Sequence, residues 1–182
     1  MNTEENTAPR SFFKIVLLGD TLVGKSAILN RFIHGKFDPT IVATLGGNVE
    51  TKELSMQNQP IKLMVVDPAG PKSYKKTRLR YYEGANGCVM VYDITNSQSF
   101  ENLSEWYQEY KSVVKERGIV VILGTKLDLI RKNKEKRQVT SEEGLEAAKK
   151  YDAQFYEVSA KDESPEIQQI FEGMTSTLIL EN

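Results

Sequence analysis

Short apolar runs alternate with amphipathic stretches along most of this 182-residue chain. Five runs are apolar through the middle and polar at the C-terminal end: FFKIVLLG, IKLMVVD, GCVMVYD, IVVILGTK and AQFYEVSA. Runs of this length and composition are typical of buried strands in a parallel sheet. Ligands of such sheets bind beyond the C-terminal ends of the strands, so the polar residues there are the candidates for chemistry.

Three amphipathic segments predict helices between and after these strands. The first covers 99–115 and has Gly118 placed to end it. The second begins at a capping box of Thr140 and Glu143, and the third begins at the Ser-Pro pair 164–165. Their apolar faces are Phe100, Leu103, Tyr107, Tyr110 and Val114 in the first; Leu145, Ala148 and Tyr151 in the second; and Ile167, Ile170, Phe171, Met174 and Leu178 in the third. Strands alternating with helices predict a doubly wound α/β sheet.

Composition restricts the class of protein. With 24 basic and 25 acidic residues the net charge is −1, so no global positive field favours nucleic acid as a partner. The one cysteine, Cys88, cannot form an internal disulfide, and the polar N-terminus lacks the apolar stretch of a signal peptide, which indicates a cytoplasmic protein. We predict a flexible N-terminal tail at 1–10 and one domain at 11–182.

The segment GDTLVGKS, 19–26, follows the first strand and matches the phosphate-binding pattern GxxxxGK[ST]. Its glycines allow backbone N–H groups to turn towards phosphate oxygens, Lys25 adds a positive charge, and Ser26 supplies a Mg²⁺ ligand. Asp67 ends the strand IKLMVVD, where it can bind the same Mg²⁺ through water. The alternative is a tight turn with an exposed lysine. The candidate phosphate-binding residues are Asp20, Thr21, Leu22, Val23, Gly24, Lys25, Ser26 and Ala27.

Two further motifs follow later strands: TKLD at 125–128 and SAK at 159–161. They resemble the guanine-binding motifs of the Ras superfamily of small GTPases, usually NKxD and SAK, with threonine in place of asparagine. The resemblance implies that Asp128 accepts two hydrogen bonds from guanine, that Ser159 orients Asp128, and that the Ala160 N–H meets the guanine carbonyl. The implied base-site residues are Thr125, Lys126, Asp128, Ser159, Ala160 and Lys161, with Lys126 lying along the base.

Within that superfamily the chain is similar to the Rab branch: GDTLVGKS resembles GDSGVGKS, and YYEGANG at 81–87 resembles YYRGAHG. The resemblance implies a P-loop G domain, with a six-stranded, mostly parallel sheet flanked by about five helices. Its implied ligands are GTP or GDP and Mg²⁺. It puts Phe37 beside the guanine base and Thr44 at the switch I threonine that binds Mg²⁺ and senses the γ-phosphate.

The segment DPAGPK, 67–72, stands where the Rab pattern has DTAGQE. Gly70 matches the glycine whose N–H contacts the γ-phosphate, and it completes the implied catalytic set with Lys25 and Thr44. Pro71 occupies the place of the glutamine that positions the attacking water, and a pyrrolidine ring cannot replace that side chain. We therefore expect slow GTP hydrolysis. The two prolines also restrict the backbone, so switch II is expected to prefer one conformation whichever nucleotide is bound.

The resemblance also implies partner proteins: effectors, exchange factors and GTPase-activating proteins, bound through 37–49 and 67–82. Rab proteins present an aromatic triad there, and the matching positions are Val49, Val66 and Tyr81, so two rings are missing. A basic run follows, formed by Lys72, Lys75, Lys76, Arg78 and Arg80. It is either a solvated face or an altered surface for acidic partners or anionic lipid. The final residues LILEN contain no cysteine for a prenyl group, so contact with endomembranes is expected to be indirect or through a C-terminal tail absent from this sequence.

Two functions fit these features. The first is a Rab-like molecular switch in vesicle traffic that hydrolyses GTP slowly. The second is a GTP-locked adaptor that binds partners without turnover. A third class, a P-loop ATPase or small-molecule kinase, conflicts with Asp128 and with the SAK segment.

Overall fold

A six-stranded sheet with helices on both faces forms the fold. The structure is a computed structural model that describes residues 11–40, 47–68, 74–115, 118–133 and 135–181. In chain order the elements are β1 (Ser11–Leu18), α1 (Lys25–His34), β2 (Asn48–Met56), β3 (Gln59–Asp67), α2 (Lys75–Tyr82), β4 (Gly87–Asp93), α3 (Ser97–Glu101), α4 (Leu103–Val113), β5 (Ile119–Thr125), α5 (Leu127–Arg131), α6 (Ser141–Tyr151), β6 (Gln154–Glu157) and α7 (Glu166–Glu181).

The strand order in the sheet is β2-β3-β1-β4-β5-β6. β1 pairs in parallel with β3 and β4, and β5 pairs in parallel with β4 and β6. β2 is antiparallel to β3, and the hairpin between them has left-handed backbone at Gln57 (φ 51°) and Asn58 (φ 59°). The predicted six-stranded, mostly parallel sheet is confirmed. The strand order reverses at β1, so the loop after β1 lies where an open α/β sheet binds its ligand.

Two apolar layers, one on each face of the sheet, explain the continuous apolar character of the central strands. Every residue of β4 is buried. Val89 and Val91 belong to the layer beneath α1 and α7, whereas Cys88, Met90 and Tyr92 belong to the layer beneath α2, α4 and α6. Both faces of such a strand must be apolar, which is why the sequence shows runs instead of alternation.

Most of the predicted helices are present. Thr140 makes both halves of its capping box with Glu143, and all five predicted apolar residues of α7 are buried. The predicted helix at 99–115 is two helices, α3 and α4, which meet at Asn102. This division and the short α5 raise the described helical segments to seven, against about five expected. None of the described helices is long and apolar enough to cross a membrane.

The predicted apolar face of α6 is wrong at Leu145, which is 50% exposed. Ala148 of the predicted face is buried, and Gly144 takes the place of Leu145 against the sheet. A Cβ on Gly144 would lie 2.3 Å from the ring of Phe155 in β6, so the helix comes closest to the sheet at the glycine. Close approach at Gly144 turns the neighbouring leucine towards solvent.

Candidate functional site

The phosphate-binding motif forms a loop between β1 and α1. Three of its residues have left-handed backbone: Gly19 (φ 140°), Leu22 (φ 65°) and Gly24 (φ 104°). Space also excludes a side chain at Gly19, because a Cβ there would lie 2.2 Å from the carbonyl oxygen of Val91. Thr21 and Leu22 are exposed at the tip of the loop. The two glycines allow the tight turn that a cradle of backbone N–H groups requires.

Lys25, the first residue of α1, lies under this loop and is only 6% exposed. Its Nζ donates hydrogen bonds to the carbonyl oxygens of Gly19 (2.9 Å) and Asp20 (2.7 Å). Burial lowers the pKa of Lys25, and the nearby carboxylate of Asp67 acts in the opposite direction. A plain turn with an exposed lysine does not fit this geometry.

Two oxygen donors that suit Mg²⁺ lie side by side next to the loop. The Ser26 hydroxyl donates a hydrogen bond to Oδ2 of Asp67, the buried last residue of β3. Hydroxyl and carboxylate oxygens are ligand types that Mg²⁺ takes beside phosphates. The third predicted ligand, Thr44, lies outside the described residues. Over the described ranges, no group of three or more His, Cys, Asp or Glu side chains could hold a metal ion alone.

A cavity of about 210 Å³ adjoins the phosphate loop at the C-terminal ends of β5 and β6. Its predicted lining residues are Gly24, Ala27, Phe37, Thr125, Lys126, Asp128, Ala160 and Lys161. Two further residues, Ile28 and Leu129, also line it and were not predicted. Ile28 lies on α1 just after the phosphate-binding motif, and Leu129 lies on α5 just after Asp128. An apolar residue directly after a motif is the sequence signal that could have identified them. The structure thus brings the phosphate loop and both base motifs to one cavity.

The Asp128 carboxylate lies at this cavity and is 6% exposed. Its Oδ1 accepts a hydrogen bond from the Ser159 hydroxyl at 2.9 Å. The Ser159 hydroxyl oxygen in turn accepts from the backbone N–H groups of Lys161 (3.1 Å) and Asp162 (3.2 Å). Ser159 therefore links the Asp128 carboxylate to the backbone of its own loop.

Thr125 connects the base cavity to the phosphate loop. Its hydroxyl lies within hydrogen-bond distance of the carbonyl oxygens of Val23 (2.5 Å) and Tyr92 (2.9 Å), and its side chain is buried. A hydroxyl has one proton, so at any moment it donates to one of the two carbonyls. The threonine thus keeps a link to the phosphate loop that does not need an amide side chain.

Lys126 forms an ion pair that the sequence analysis missed. Its Nζ lies 2.6 Å from Oδ2 of Asp93, the last residue of β4, and its backbone is left-handed (φ 66°). Oδ1 of Asp93 accepts hydrogen bonds from the backbone and hydroxyl of Thr95. These hydrogen bonds hold the Asp93 carboxylate in the orientation in which it contacts Lys126. The sequence signal that could have indicated Asp93 is its position as a charged residue at the C-terminal end of a buried strand.

Asp20 attaches the phosphate loop to α4. Its Oδ1 accepts from the indole N–H of Trp106 at 2.7 Å, and its Oδ2 accepts from the side-chain amide of Asn102 at 2.7 Å. Trp106 is 7% exposed and belongs to the apolar layer on that face. Asn102 and Trp106 lie 82 and 86 residues after Asp20 in the chain, so no local motif indicates these contacts.

Much of the predicted switch machinery lies outside the described residues, namely Thr44, Gly70 and Pro71. Of the three positions that match the Rab aromatic triad, Val49 is 44% exposed and Tyr81 is half-buried. Val66 is buried and contributes no exposed surface.

The basic run on α2 is not one solvated face. Three of its described members are exposed: Lys75, Lys76 and Arg80. Arg78 is 2% exposed and donates to both carboxylate oxygens of Glu109 on α4, at 2.7 and 3.0 Å. The interpretation of the run as a single charged surface is therefore wrong for Arg78. Lys72 lies outside the described residues.

Comparison with known proteins finds a matching family and several similar proteins. A family model described as the Ras family matches residues 14–180. Ras-related protein SEC4 of Candida albicans is 34% identical over 177 residues, which cover 96% of this chain and 82% of that protein. Ras-related protein Rab-13 of Canis lupus familiaris is 32% identical over 170 residues, 93% of this chain and 81% of its own. Ras-related protein Rab-10 of Caenorhabditis elegans is 36% identical over 149 residues, 82% and 72% of the two chains.

Proposed function

Because this chain belongs to the Ras family as a Rab-like small GTPase, we propose that it binds GTP and GDP with Mg²⁺ at the site described above and acts as a molecular switch in vesicle traffic. One observation carries the proposal: the cavity that holds the Asp128–Ser159 pair is joined to the phosphate loop through Thr125. One end offers groups for a purine base, and the other offers groups for phosphate and Mg²⁺.

Asp128 gives the site its preference for guanine. Its carboxylate accepts two hydrogen bonds, from the N1–H and the exocyclic amine of guanine, and adenine has no such pair of donors. Because this carboxylate is buried and oriented by Ser159, a base that leaves it unpaired is strongly disfavoured. Lys126 lies along the base, Phe37 packs beside it, and the backbone N–H of Ala160 meets the guanine carbonyl.

The phosphate end uses charge and backbone donors. Lys25 neutralises β- and γ-phosphate oxygens, and Ser26 and Asp67 hold Mg²⁺, the latter through water. When bound, Mg²⁺ neutralises charge that develops on the transferred phosphate. Thr44 and Gly70 contact the γ-phosphate, so GTP and GDP differ in how they order the two switch segments.

The base preference is tested by competition of ATP and GTP for the GDP-loaded protein, with the Asp128→Asn variant beside wild type. An asparagine offers one acceptor and one donor, so the variant is expected to lose guanine affinity and gain affinity for xanthine nucleotides, which present a donor and an acceptor. The matched control is Asp162→Asn, which removes the same charge from the adjoining loop, where Asp162 pairs with Arg131 at 3.3 Å. Displacement of bound GDP by ATP at similar concentration would contradict the proposal.

Slow hydrolysis is the second part of the proposal, and it rests on Pro71. Without a side chain that positions water, the rate is expected to fall below that of Ras, about 4 × 10⁻⁴ s⁻¹ without its activating protein. Single-turnover hydrolysis of preloaded Mg²⁺·GTP tests this with Pro71→Gln, expected to be faster, and Pro68→Thr, expected to be unchanged. A Ras-like rate in wild type means that another residue positions the water.

A GTP-locked adaptor is the alternative, favoured by Pro71, which offers no side chain to position the attacking water. In the switch, effectors, exchange factors and GTPase-activating proteins contact 37–49 and 67–82, at peripheral sites on endomembranes, whereas the adaptor binds its partners there without turnover. The two functions differ in nucleotide content. Protein purified from its own cells carries mostly GTP if it is locked, and a mixture with GDP if it cycles.

A further inference from the structure

Arg31, on the last turn of α1, connects two walls of the base cavity. Its Nε donates to the carbonyl oxygen of Ala160 at 2.8 Å, and its Nη2 lies 3.3 Å from the carbonyl oxygen of Lys161. Its Nη1 donates to the carbonyl oxygen of Gly35 at 2.6 Å. One guanidinium thus bridges the loop after β6 and the turn after α1, although Ala160 and Lys161 lie 129 and 130 residues from Arg31 in the chain.

The first wall is the loop that contains Ala160. The peptide between Ala160 and Lys161 is held at both ends, because Arg31 binds its carbonyl oxygen and the Ser159 hydroxyl oxygen accepts its N–H at 3.1 Å. The same hydroxyl donates to Asp128. The position of Ala160 relative to the Asp128 carboxylate is therefore set by a short series of hydrogen bonds that begins at Arg31.

The second wall is the turn that leads to Phe37. Gly35 ends α1 with left-handed backbone (φ 67°), and its N–H donates to the carbonyl oxygen of Arg31 at 3.0 Å. Because the Arg31 side chain also binds the Gly35 carbonyl, this glycine is held on both sides. Phe37 follows two residues later and lines the cavity.

We propose that Arg31 is a positioning residue for guanine recognition, which sets the distance between the Ala160 loop and the Phe37 turn. The inference rests on the proposed function, in which the Ala160 N–H meets the 6-oxygen of guanine. A guanidinium presents donors in a rigid fork that reaches several carbonyls at once, and the single ammonium of a lysine cannot reproduce that geometry. Arg31 touches neither the base nor the phosphates in this assignment, and acts through the backbone of the two walls.

The test compares two ligands that differ only at the atom concerned. GDP has the 6-oxygen, and 6-thio-GDP keeps the N1–H, the amine and the phosphates but has sulfur, a weaker acceptor, in its place. Wild type is expected to prefer GDP. In Arg31→Gln and Arg31→Lys this preference is expected to fall about threefold, because the hydrogen bond from Ala160 no longer favours oxygen over sulfur. The control is Arg131→Gln, an exposed arginine that contacts the neighbouring Asp162, and it is expected to keep the wild-type preference.

The outcomes separate the inference from the function on which it rests. If wild type binds both diphosphates equally, the proposed base site fails. If wild type prefers GDP and both Arg31 variants bind the two ligands more weakly by the same factor, Arg31 only stabilises the fold and the inference is overturned. A reduced preference in both variants, with the preference of Arg131→Gln unchanged, supports it. Thermal unfolding of the GDP-bound variants identifies any that fail to fold, and the lysine variant is the milder of the two.

Discussion

Glu109→Gln is a direct test of how strongly α2 is held to α4. Glu109 accepts from Arg78 through both oxygens, at 2.7 and 3.0 Å, and Oε1 also accepts from the hydroxyl of Tyr82 at 2.8 Å. The two charged side chains are 2% and 10% exposed, so water screens the pair very little. The Arg78 guanidinium also lies over the ring of Trp106, 4.5 Å from its centroid.

The expected loss follows from burial. Removing one partner of a buried ion pair costs about 3–5 kcal/mol, because the remaining charge keeps its desolvation penalty without the opposing charge. Glutamine keeps the shape and one acceptor oxygen, so we expect the lower end, about 3 kcal/mol. For a domain of this size about 1 kcal/mol lowers the Tm by about 2–4 °C, so the melting temperature is expected to fall by about 6–12 °C.

Urea unfolding at a fixed excess of GDP and Mg²⁺ measures this loss, since ligand concentration itself shifts the apparent stability. The control is Glu146→Gln, which removes one negative charge from the exposed face of α6 and is expected to stay within about 0.5 kcal/mol of wild type. Equal unfolding midpoints for the two variants at pH 7 would refute the reasoning.

The pH dependence gives a second test. Burial alone would raise the pKa of Glu109, but the hydrogen bonds from Arg78 and Tyr82 outweigh it and the pKa lies below the ordinary value of 4.5. A carboxyl group whose pKa is lower in the folded state stabilises the fold above its unfolded pKa. That stabilisation is lost as the pH falls through the folded value. The gap in stability between wild type and Glu109→Gln is therefore expected to close below about pH 4.5. A gap that stays constant as the pH falls below about 4.5 contradicts this assignment.

Three further substitutions test other parts of the fold. Thr125→Val removes the hydroxyl that donates to the carbonyl of Val23 or of Tyr92, and we expect fluorescent GDP to dissociate about tenfold faster, as one buried hydrogen bond is lost. An unchanged dissociation rate would mean that the link does not support the site. Gly144→Ala puts a methyl group 2.3 Å from the Phe155 ring, so thermal unfolding is expected to show a loss of about 1–3 kcal/mol despite the better helix propensity of alanine. A more stable variant would contradict that packing. Thr140→Ala removes the capping box and is expected to cost about 1 kcal/mol in urea unfolding, whereas Thr140→Ser retains most of the stability.

The sequence predicts the sheet and the motif residues because their information is local. A buried strand is apolar over consecutive residues, and Gly19 and Lys25 stand at a fixed spacing in one short loop. The capping box of Thr140 and Glu143 is likewise complete within four residues. Position in a parallel sheet then brings the loops together, because the C-terminal ends of its strands share one edge.

Several contacts that orient those motifs could not be predicted, since they join residues far apart in the chain that no known motif pairs. Lys126 contacts Asp93 across two neighbouring strands, and Arg31 contacts Ala160 over 129 residues. No periodicity or spacing marks such pairs. The exposure of Leu145 was missed for a related reason: the strand that α6 meets at its glycine decides which side of the helix is buried.

α4 explains why one member of the basic run on α2 differs from the others. Trp106 and Glu109 are three residues apart, so they lie on the same face of the helix, one turn from each other. Trp106 donates to Asp20 in the phosphate loop, and Glu109 accepts from Arg78 on α2. The Trp106 ring also lies under the Arg78 guanidinium, so both contacts share one packed cluster. One turn of α4 thus contacts both the phosphate loop and α2. Because residues in one packed cluster do not contribute independently to stability, the effects of substitutions at Asp20 and at Arg78 on the free energy of unfolding are expected not to be additive.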